Sequence, residues 1–381
     1  MPSWKSRLLR ISLCTPAVAL LTLAGCGQFF PPLSSGSGGS GSSSGDYLYV
    51  GNLGTDPLSI AGFSIGSSAL SVISGAPWTV DLEPTAMAVT PSDAYLYVGS
   101  AAGGIYVYTI GSDGAITLGN SGGPVATGVS PAVLRVDPTG KWLLGASAFA
   151  GQAYVYQIGT GGTLTAISSS VVTLNSSTPA TDLEITPSGD YVYVSCGTAG
   201  IYTMSFDTGT GALAQVNSVL SPKSSGAADM GLAIAPSGGF LFAAETVTGG
   251  VRVLSIGTNG VLTETSGSPY STNTGAWAVL VDSSGSYVYV ANRTAGTVSG
   301  FLLTNSGALT AISGSPFTTG TLPVALVEDK SDAYVGVVCA GGSPDLQVFG
   351  ISTSTPGALT AFATAKTGTD PSEASSVAAT H

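Results

Sequence analysis

The sequence is poor in charge and in histidine. Charged residues make up 8% of the 381 residues, against about 25% in an average soluble domain, which excludes coiled coils and charged disordered tails. The one histidine is His381, so histidine-based catalysis and most zinc sites are excluded from the body of the fold. Lys and Arg number 10 against 21 Asp and Glu. We therefore expect no nucleic-acid partner, because an acidic surface repels phosphates.

Cysteine is scarce as well, with four residues in the chain. Cys14 and Cys26 lie near the N-terminus, in a segment considered below. Cys196 and Cys339 fall at equivalent places in two separated repeats, so they are too far apart in the predicted fold to pair. The sequence predicts no disulfide.

The N-terminal segment has the pattern of an export signal. A basic stretch with Lys5, Arg7 and Arg10 precedes an apolar run over residues 11–23. This run is too short for a stable membrane span. Residues 1–25 are therefore predicted to be a secretory signal peptide.

The end of this segment reads LAGC, which resembles the bacterial lipobox and implies that Cys26 carries the lipid. A signal peptide with a chance cysteine is the alternative. Residues 26–45 then form a Gly/Ser-rich tether. The resemblance implies a lipid-anchored, extracytoplasmic protein of the cell envelope, with the membrane as its partner. Gly27 after the cysteine favours the outer membrane.

The rest of the chain repeats one pattern seven times. An alternating run rich in aromatic residues recurs at intervals of 47 to 49 residues, and a turn glycine followed by a small residue, an aliphatic and usually Thr comes about 20 residues later. The runs begin at residues 47, 95, 142, 191, 240, 287 and 334. Each unit offers four short β-type segments separated by turn residues.

This pattern predicts an all-β fold, a seven-bladed β-propeller of four-stranded antiparallel blades over residues 46–381. A β-helix or a string of sandwiches is the alternative. The first unit begins with the second strand of a blade, and the final run from residue 371 aligns with the first strands of the other units. We expect the C-terminal strand to join the N-terminal blade and close the ring.

Two adjoining segments carry a family resemblance: YVYVANRTAGTVSGF from residue 287 and SGALTAISGSPFTTG from residue 306. They resemble the repeat of the YVTN and lactonase-like seven-bladed propellers, which include 6-phosphogluconolactonase-like proteins. The resemblance implies His, Arg and Glu near the central channel in enzymatic members, with His directly after the Pro that opens an inner strand. In this chain those positions are Thr85, Ala132, Ala180, Met230, Trp277, Val324 and Ser372. No catalytic residue is assigned, because a lactonase needs a group that activates water.

The face where propellers usually bind ligands carries mostly carboxylates. The candidate site residues are Arg135, Asp182, Glu184, Glu245, Arg293 and Glu83; further polar groups of this face are Asn52, Asp56, Asp81, Asp229, Asn292, Asp370 and Glu373. Arg135 and Glu184 occupy the same place on adjacent inner strands, which predicts a charged cluster at the channel. The cluster is interpreted as a structural ion pair, with a Ca²⁺ site as the alternative. No other cofactor or metal is expected.

These observations favour a binding or surface-interaction module with a small-molecule, glycan or protein ligand. A hydrolase of a sugar lactone is the alternative, since the resemblance extends over the whole repeat region.

Overall fold

The computed structural model describes residues 45–53, 57–149, 151–168, 170–174, 177–217, 219–247, 250–342, 344–368 and 374–381. The predicted signal segment, Cys26 and nearly all of the tether lie outside the described residues, as do Asp56, Asp370, Ser372 and Glu373. No helix within the described ranges is long and apolar enough to cross a membrane.

The strands form seven antiparallel sheets. Blade 1 contains β1 (Tyr47–Asn52), β2 (Ser59–Ile65), β3 (Leu70–Val72), β4 (Trp78–Thr79) and the C-terminal β32 (Ala374–Ala379). Blade 2 contains β5 (Pro84–Val89), β6 (Tyr95–Ser100), β7 (Gly104–Ile110) and β8 (Ile116–Leu118). Blade 3 contains β9 (Pro131–Val136), β10 (Trp142–Ser147), β11 (Gln152–Ile158), β12 (Leu164–Ala166) and β13 (Val172–Thr173).

The remaining four blades follow in chain order. Blade 4 contains β14 (Asp182–Ile185), β15 (Tyr191–Ser195), β16 (Ile201–Asp207) and β17 (Ala212–Gln215). Blade 5 contains β18 (Asp229–Ile234), β19 (Phe240–Glu245), β20 (Gly250–Ile256), β21 (Leu262–Glu264) and β22 (Tyr270–Ser271). Blade 6 contains β23 (Ala276–Val281), β24 (Tyr287–Asn292), β25 (Thr297–Leu303), β26 (Leu309–Ala311) and β27 (Phe317–Thr318). Blade 7 contains β28 (Pro323–Glu328), β29 (Tyr334–Cys339), β30 (Leu346–Ile351) and β31 (Leu359–Ala365).

The ring closes as the sequence predicts. Blade 1 has the order β3-β2-β1-β32, so the C-terminal strand is its innermost strand. Leu48 pairs with Ala379 and Val50 with Val377. The seven-bladed, four-stranded architecture is confirmed, and both faces of each blade contribute to apolar cores between neighbouring blades. Cys196 and Cys339 are buried and free.

An aspartate stabilises the turn between the first and second strands in blades 3, 6 and 7. The Asp137 carboxylate accepts hydrogen bonds from the backbone N–H groups of Lys141 and Trp142 at 2.9 and 2.7 Å. Asp282 and Asp329 accept the equivalent bonds in their own blades. A short acceptor side chain is needed here because it satisfies backbone donors that the turn leaves without partners.

At four of the seven seams a tyrosine in the second strand bonds to the turn glycine of the neighbouring blade. Its hydroxyl donates to the carbonyl of the turn glycine in the next blade at 2.8 to 3.0 Å, in the pairs Tyr49–Gly114, Tyr97–Gly162, Tyr193–Gly260 and Tyr289–Gly357. In blade 3 Leu144 stands at this place, and the Ser170 hydroxyl donates to Gly211 of blade 4 instead. The turn glycine is required because its φ is positive, +79° at Gly114, and a Cβ there would lie 2.6 Å from the Tyr47 ring.

The outer edge of most blades is interrupted. In blades 1, 3, 5 and 6 a three-residue fourth strand is followed by a tight turn and then by a two-residue strand, β4, β13, β22 or β27, which also pairs with the third strand. Blade 7 differs, because β31 runs for seven residues without interruption.

Candidate functional site

The seven inner strands surround a central cavity of about 270 Å³. All inner strands run in the same direction, so one residue from each forms a ring at the end where the strands begin. In six blades this is the second residue of the inner strand, and in blade 4 it is Thr181, directly before β14. We call this end the channel mouth. The ring consists of Thr85, Ala132, Thr181, Met230, Trp277, Val324 and Ser375.

The sequence alignment predicted Ala180 and Ser372 at two positions of this ring. The prediction was wrong at both, because the structure has Thr181 and Ser375 there. Asp182 pairs with Ser195, at the place where Ala86 pairs with Gly99 in blade 2, so the residue equivalent to Thr85 is Thr181. The proline used as a marker stands one residue further from the strand in blade 4. In blade 1 the ring position is Ser375, and Ser372 lies outside the described residues.

The hydroxyls of the ring are engaged by the backbone. Thr85 donates to the Pro131 carbonyl at 2.6 Å, and Thr181 donates to the Met230 carbonyl at 3.0 Å. Ser375 lies 3.3 Å from the Pro84 carbonyl. These bonds tie the inner strands of blades 1, 2 and 4 to those of blades 2, 3 and 5, and the other four ring positions are apolar. The ring therefore holds no titratable side chain that could activate water.

Three of the predicted site residues meet at the channel wall; we call Arg135, Asp182 and Glu184 the channel trio. Arg135 Nη2 lies 2.9 Å from Asp182 Oδ1 and 3.0 Å from Glu184 Oε1. Arg135 Nε also donates to Glu184 Oε1 at 3.1 Å. Arg135 and Asp182 line the cavity, and Arg135 keeps 38% of its side-chain surface exposed.

The two carboxylates of the channel trio have different surroundings. Asp182 accepts backbone hydrogen bonds from Leu183 and Leu232, both at 2.8 Å, in addition to the guanidinium. Since Arg135, Asp182 and Leu232 belong to three successive blades, Asp182 is a structural link. Among the described residues, Glu184 accepts hydrogen bonds from Arg135 alone.

Burial raises the pKa of Glu184 to about 7, although Arg135 acts to lower it. Asp182 adds a repulsion that raises this pKa further. Burial acts to lower the pKa of Arg135, but the attraction of both carboxylates outweighs it, so the guanidinium stays charged. Burial raises the pKa of Asp182 as well, although Arg135 and the backbone N–H groups of Leu232 and Leu183 act to lower it.

Arg293 lies beside the channel mouth. Its guanidinium carbon is 4.7 Å from the centre of the Trp277 ring, a cation–π contact. The backbone N–H of Arg293 donates to the Gly275 carbonyl at 2.7 Å, which fixes the loop after β24. Within the described part of the chain Arg293 forms no ion pair, and its buried Nε has no hydrogen-bond partner. The mouth thus presents an aromatic face with an unneutralised cation over it.

The other two candidate residues do not line the cavity. Glu245 is fully buried and accepts hydrogen bonds from the backbone of Lys223 at 2.6 Å and from the backbone and hydroxyl of Ser224 at 2.9 and 2.8 Å. Its carboxylate therefore fixes the loop that leads into blade 5. Glu83 is exposed, and its backbone carbonyl accepts from Ala101 at 3.1 Å.

A second charged cluster was only partly anticipated from the sequence; we call Asp229, Arg252 and Glu264 the buried trio. Arg252 Nη1 lies 2.7 Å from Asp229 Oδ2, and Nη2 lies 2.8 Å from Glu264 Oε2. Arg252 is 1% exposed. The available signal was an arginine in the middle of an apolar third strand, VRVL, which requires buried partners.

The described residues contain no group of three or more His, Cys, Asp or Glu side chains that could hold a metal ion. At the place considered for Ca²⁺, the Arg135 guanidinium lies between Asp182 and Glu184 and donates hydrogen bonds to both.

The comparisons with known proteins agree with this architecture. The family described as "Lactonase, 7-bladed beta-propeller" matches residues 79–373. The chain belongs to this family. None of the curated proteins matches the lactonase-family chain.

Several solved structures share its fold. A protein from Lactobacillus plantarum is 21% identical, with a TM-score of 0.70, and the match covers 88% of this chain and 100% of that one. A putative 6-phosphogluconolactonase from Bacteroides uniformis is 16% identical, with a TM-score of 0.72 and coverage of 88% and 99%. A periplasmic gluconolactonase from Pseudomonas aeruginosa is also 16% identical, with a TM-score of 0.71 and the same coverage. At these identities the likeness establishes the fold.

Proposed function

We propose that this lactonase-family propeller binds a small polar ligand, a sugar or sugar acid, at its channel mouth. The observation that carries the proposal is the Trp277–Arg293 pair at the opening of the cavity. An aromatic face offers a flat apolar surface to a sugar ring, and a guanidinium offers a fork of donors to a carboxylate or to hydroxyls.

The size and chemistry of the cavity support a ligand of monosaccharide size. Its volume of about 270 Å³ lies just below the range of roughly 300–1,000 Å³ that is usual for ligand pockets. The hydroxyls of Thr85, Thr181 and Ser375 donate hydrogen bonds to backbone carbonyls, so none of them is available as a nucleophile. This arrangement favours binding over turnover at the mouth.

One observation favours a second candidate function, the hydrolysis of a sugar lactone. Burial raises the pKa of Glu184 to about 7, which suits a general base at neutral pH. The adjacent Arg135 guanidinium would stabilise an oxyanion that develops on the lactone carbonyl.

We place the protein outside the cytoplasm, anchored by lipid at Cys26. The support is the N-terminal sequence, with its basic stretch, apolar run and LAGC motif. The Pseudomonas aeruginosa structural neighbour is itself described as periplasmic.

Isothermal titration of the full-length protein with gluconate tests the proposed function. We expect Trp277→Ala and Arg293→Gln each to weaken gluconate binding by about tenfold to a hundredfold, because each removes one half of the pair. Trp78→Ala, in the outer strand of blade 1, is the matched control and should leave binding unchanged. Equal affinity in the wild type and in Trp277→Ala would refute a site at the mouth.

Proton release from gluconolactone separates the two candidate functions. A rate above the spontaneous one that disappears in Glu184→Gln would establish hydrolysis. If gluconolactone is hydrolysed no faster than spontaneously and gluconate binds at the mouth, the protein is a binding protein.

A further inference from the structure

Blade 7 has an outer edge unlike those of the other blades. Its outermost strand, β31, spans seven residues, whereas the outermost strands of the other six blades span three or four. Short or interrupted edge strands protect proteins against pairing with another chain, because they offer few unpaired peptide groups in a row. Six blades follow this rule, and blade 7 does not.

The hydrogen-bond pattern of β30 shows which peptide groups of β31 face outward. The Ile351 N–H donates to the Ala333 carbonyl on the side of β29, and the Ser352 N–H donates to the Ala358 carbonyl on the side of β31. Since the two sides alternate along an antiparallel strand, the even-numbered residues of β30 direct their peptide groups towards β31.

The pairing register then assigns the residues of β31. Gly350, Val348 and Leu346 pair with Thr360, Ala363 and Ala365, which therefore bond inward. No strand among the described residues pairs with the opposite side of β31. The residues whose peptide groups point outward are Leu359, Ala361 and Thr364.

A β-bulge makes this outward pattern symmetric. Phe362 is the extra residue between the pairs Ala361–Phe349 and Ala363–Val348, and its ring centre lies 4.5 Å from that of Tyr334. Ala361 and Thr364 are therefore equidistant in sequence from the midpoint between Phe362 and Ala363. A two-fold axis at this midpoint exchanges them, which is the self-complementarity that a symmetric dimer requires.

We propose that two copies of this chain pair through β31, as antiparallel neighbours about a two-fold axis between Phe362 and Ala363. Ala361 of each copy then lies opposite Thr364 of the other, and the two sheets of blade 7 become one sheet of eight strands. The strand contains no charged residue, and the exposed Lys366 that follows it would face Leu359 of the second copy rather than a like charge. The contact is a strand edge, well below about 1,200 Å², so the dimer is weak and reversible.

Sedimentation equilibrium of the full-length chain, dispersed in a mild detergent, tests this proposal at concentrations up to about 1 mM. We expect a concentration-dependent dimer in the wild type and a monomer in Ala361→Pro, which removes an outward N–H and no bond to β30. Ala311→Pro is the matched control, because Ala311 occupies the same place on the short outer strand of blade 6 and is equally exposed.

Each result decides the proposal. A wild type that stays monomeric throughout, or an Ala361→Pro variant that dimerises like the wild type, would overturn it. Loss of the dimer in both proline variants would overturn it too, because the contact would not be specific to blade 7. If Ala361→Pro fails to fold, the Ala361→Cys, Thr364→Cys double variant provides the test. It should form an intermolecular disulfide under mild oxidation that neither single variant forms, and its absence counts against the pairing.

Discussion

The channel trio and the buried trio have the same composition, one arginine between two carboxylates, and yet they differ in access. Arg135 of the channel trio joins two blades and keeps 38% of its side-chain surface exposed in the wall of the cavity. Arg252 of the buried trio joins three strands of a single blade and is 1% exposed. Both arginines make ion pairs at 2.7 to 3.0 Å.

The difference shows that access, rather than residue type, decides what such a cluster can do. In the buried trio, burial raises the pKa of Asp229 to about 6 even though Arg252 acts to lower it. Asp229 and Arg252 are 0% and 1% exposed, so no ligand can reach their ion pair, and its contribution is to the stability and the strand order of blade 5. Arg135 and Asp182 of the channel trio line the cavity, so they can contact whatever enters it.

The largest expected effect comes from Arg252→Met. This change leaves the fully buried Asp229 without a cation, and breaking a buried pair in this way costs about 3–5 kcal/mol of unfolding free energy. Urea denaturation followed by tryptophan fluorescence measures the loss. A loss below about 1 kcal/mol would mean that water reaches the buried trio. The buried trio and the channel trio would then not differ in access to solvent.

Arg135→Met should have a smaller effect on stability, about 1 kcal/mol by the same measurement, because partly exposed ion pairs contribute little. Its specific effect is on Glu184. Without the guanidinium the pKa of Glu184 should rise above its wild-type value of about 7, because one lowering influence is gone. Carboxyl ¹³C NMR titration checks this shift, and an unchanged pKa would show that Arg135 does not govern this carboxyl.

The smallest effect concerns pH. The pKa of Glu184 is about 7 in the folded protein and 4.5 in the ordinary reference state, so the folded state binds more protons between these values. Its contribution to stability therefore falls as pH rises from about 4.5 to about 7 and is constant above. Glu184→Gln should remove this slope, which we expect to amount to about 0.5 kcal/mol because the ion pair with Arg135 is partly exposed.

Thermal unfolding at pH 5 and pH 8 makes that comparison. The exposed Glu83→Gln serves as the control and should keep the wild-type difference between the two pH values. If the wild type, Glu184→Gln and Glu83→Gln show the same difference in stability between pH 5 and pH 8, the proton is not bound by Glu184.

The repeat pattern predicted the fold almost completely, because each blade carries its own turn and seam markers. The spacing placed Arg135 and Glu184 on equivalent positions of adjacent inner strands, and the structure brings them within 3.1 Å. The same spacing misplaced the ring positions at Ala180 and Ser372, because the loops that enter these inner strands differ in length from the others.

Other parts of the site depend on contacts that no periodicity encodes. Glu245 was predicted at the ligand face, but its oxygens are taken by Lys223 and Ser224 in an irregular loop. The partners of Arg252 come from the first and the fourth strand of its blade, at unequal separations in the sequence. A pattern of repeats predicts the strand on which a residue lies. It does not predict which side chains from other strands of the blade contact that residue.

The pairing of β32 with β1 has a consequence for how the newly synthesised chain folds. Tyr47 N–H bonds to the Thr380 hydroxyl across 333 positions of the chain, and at a synthesis rate of about 5–20 residues per second that gap amounts to roughly 20 to 70 s. During this interval β1 has an open edge, and the blade cannot acquire its inner strand. The first blade to be synthesised is thus the last to be completed, and it depends longest on whatever keeps nascent strands from pairing with the wrong neighbour.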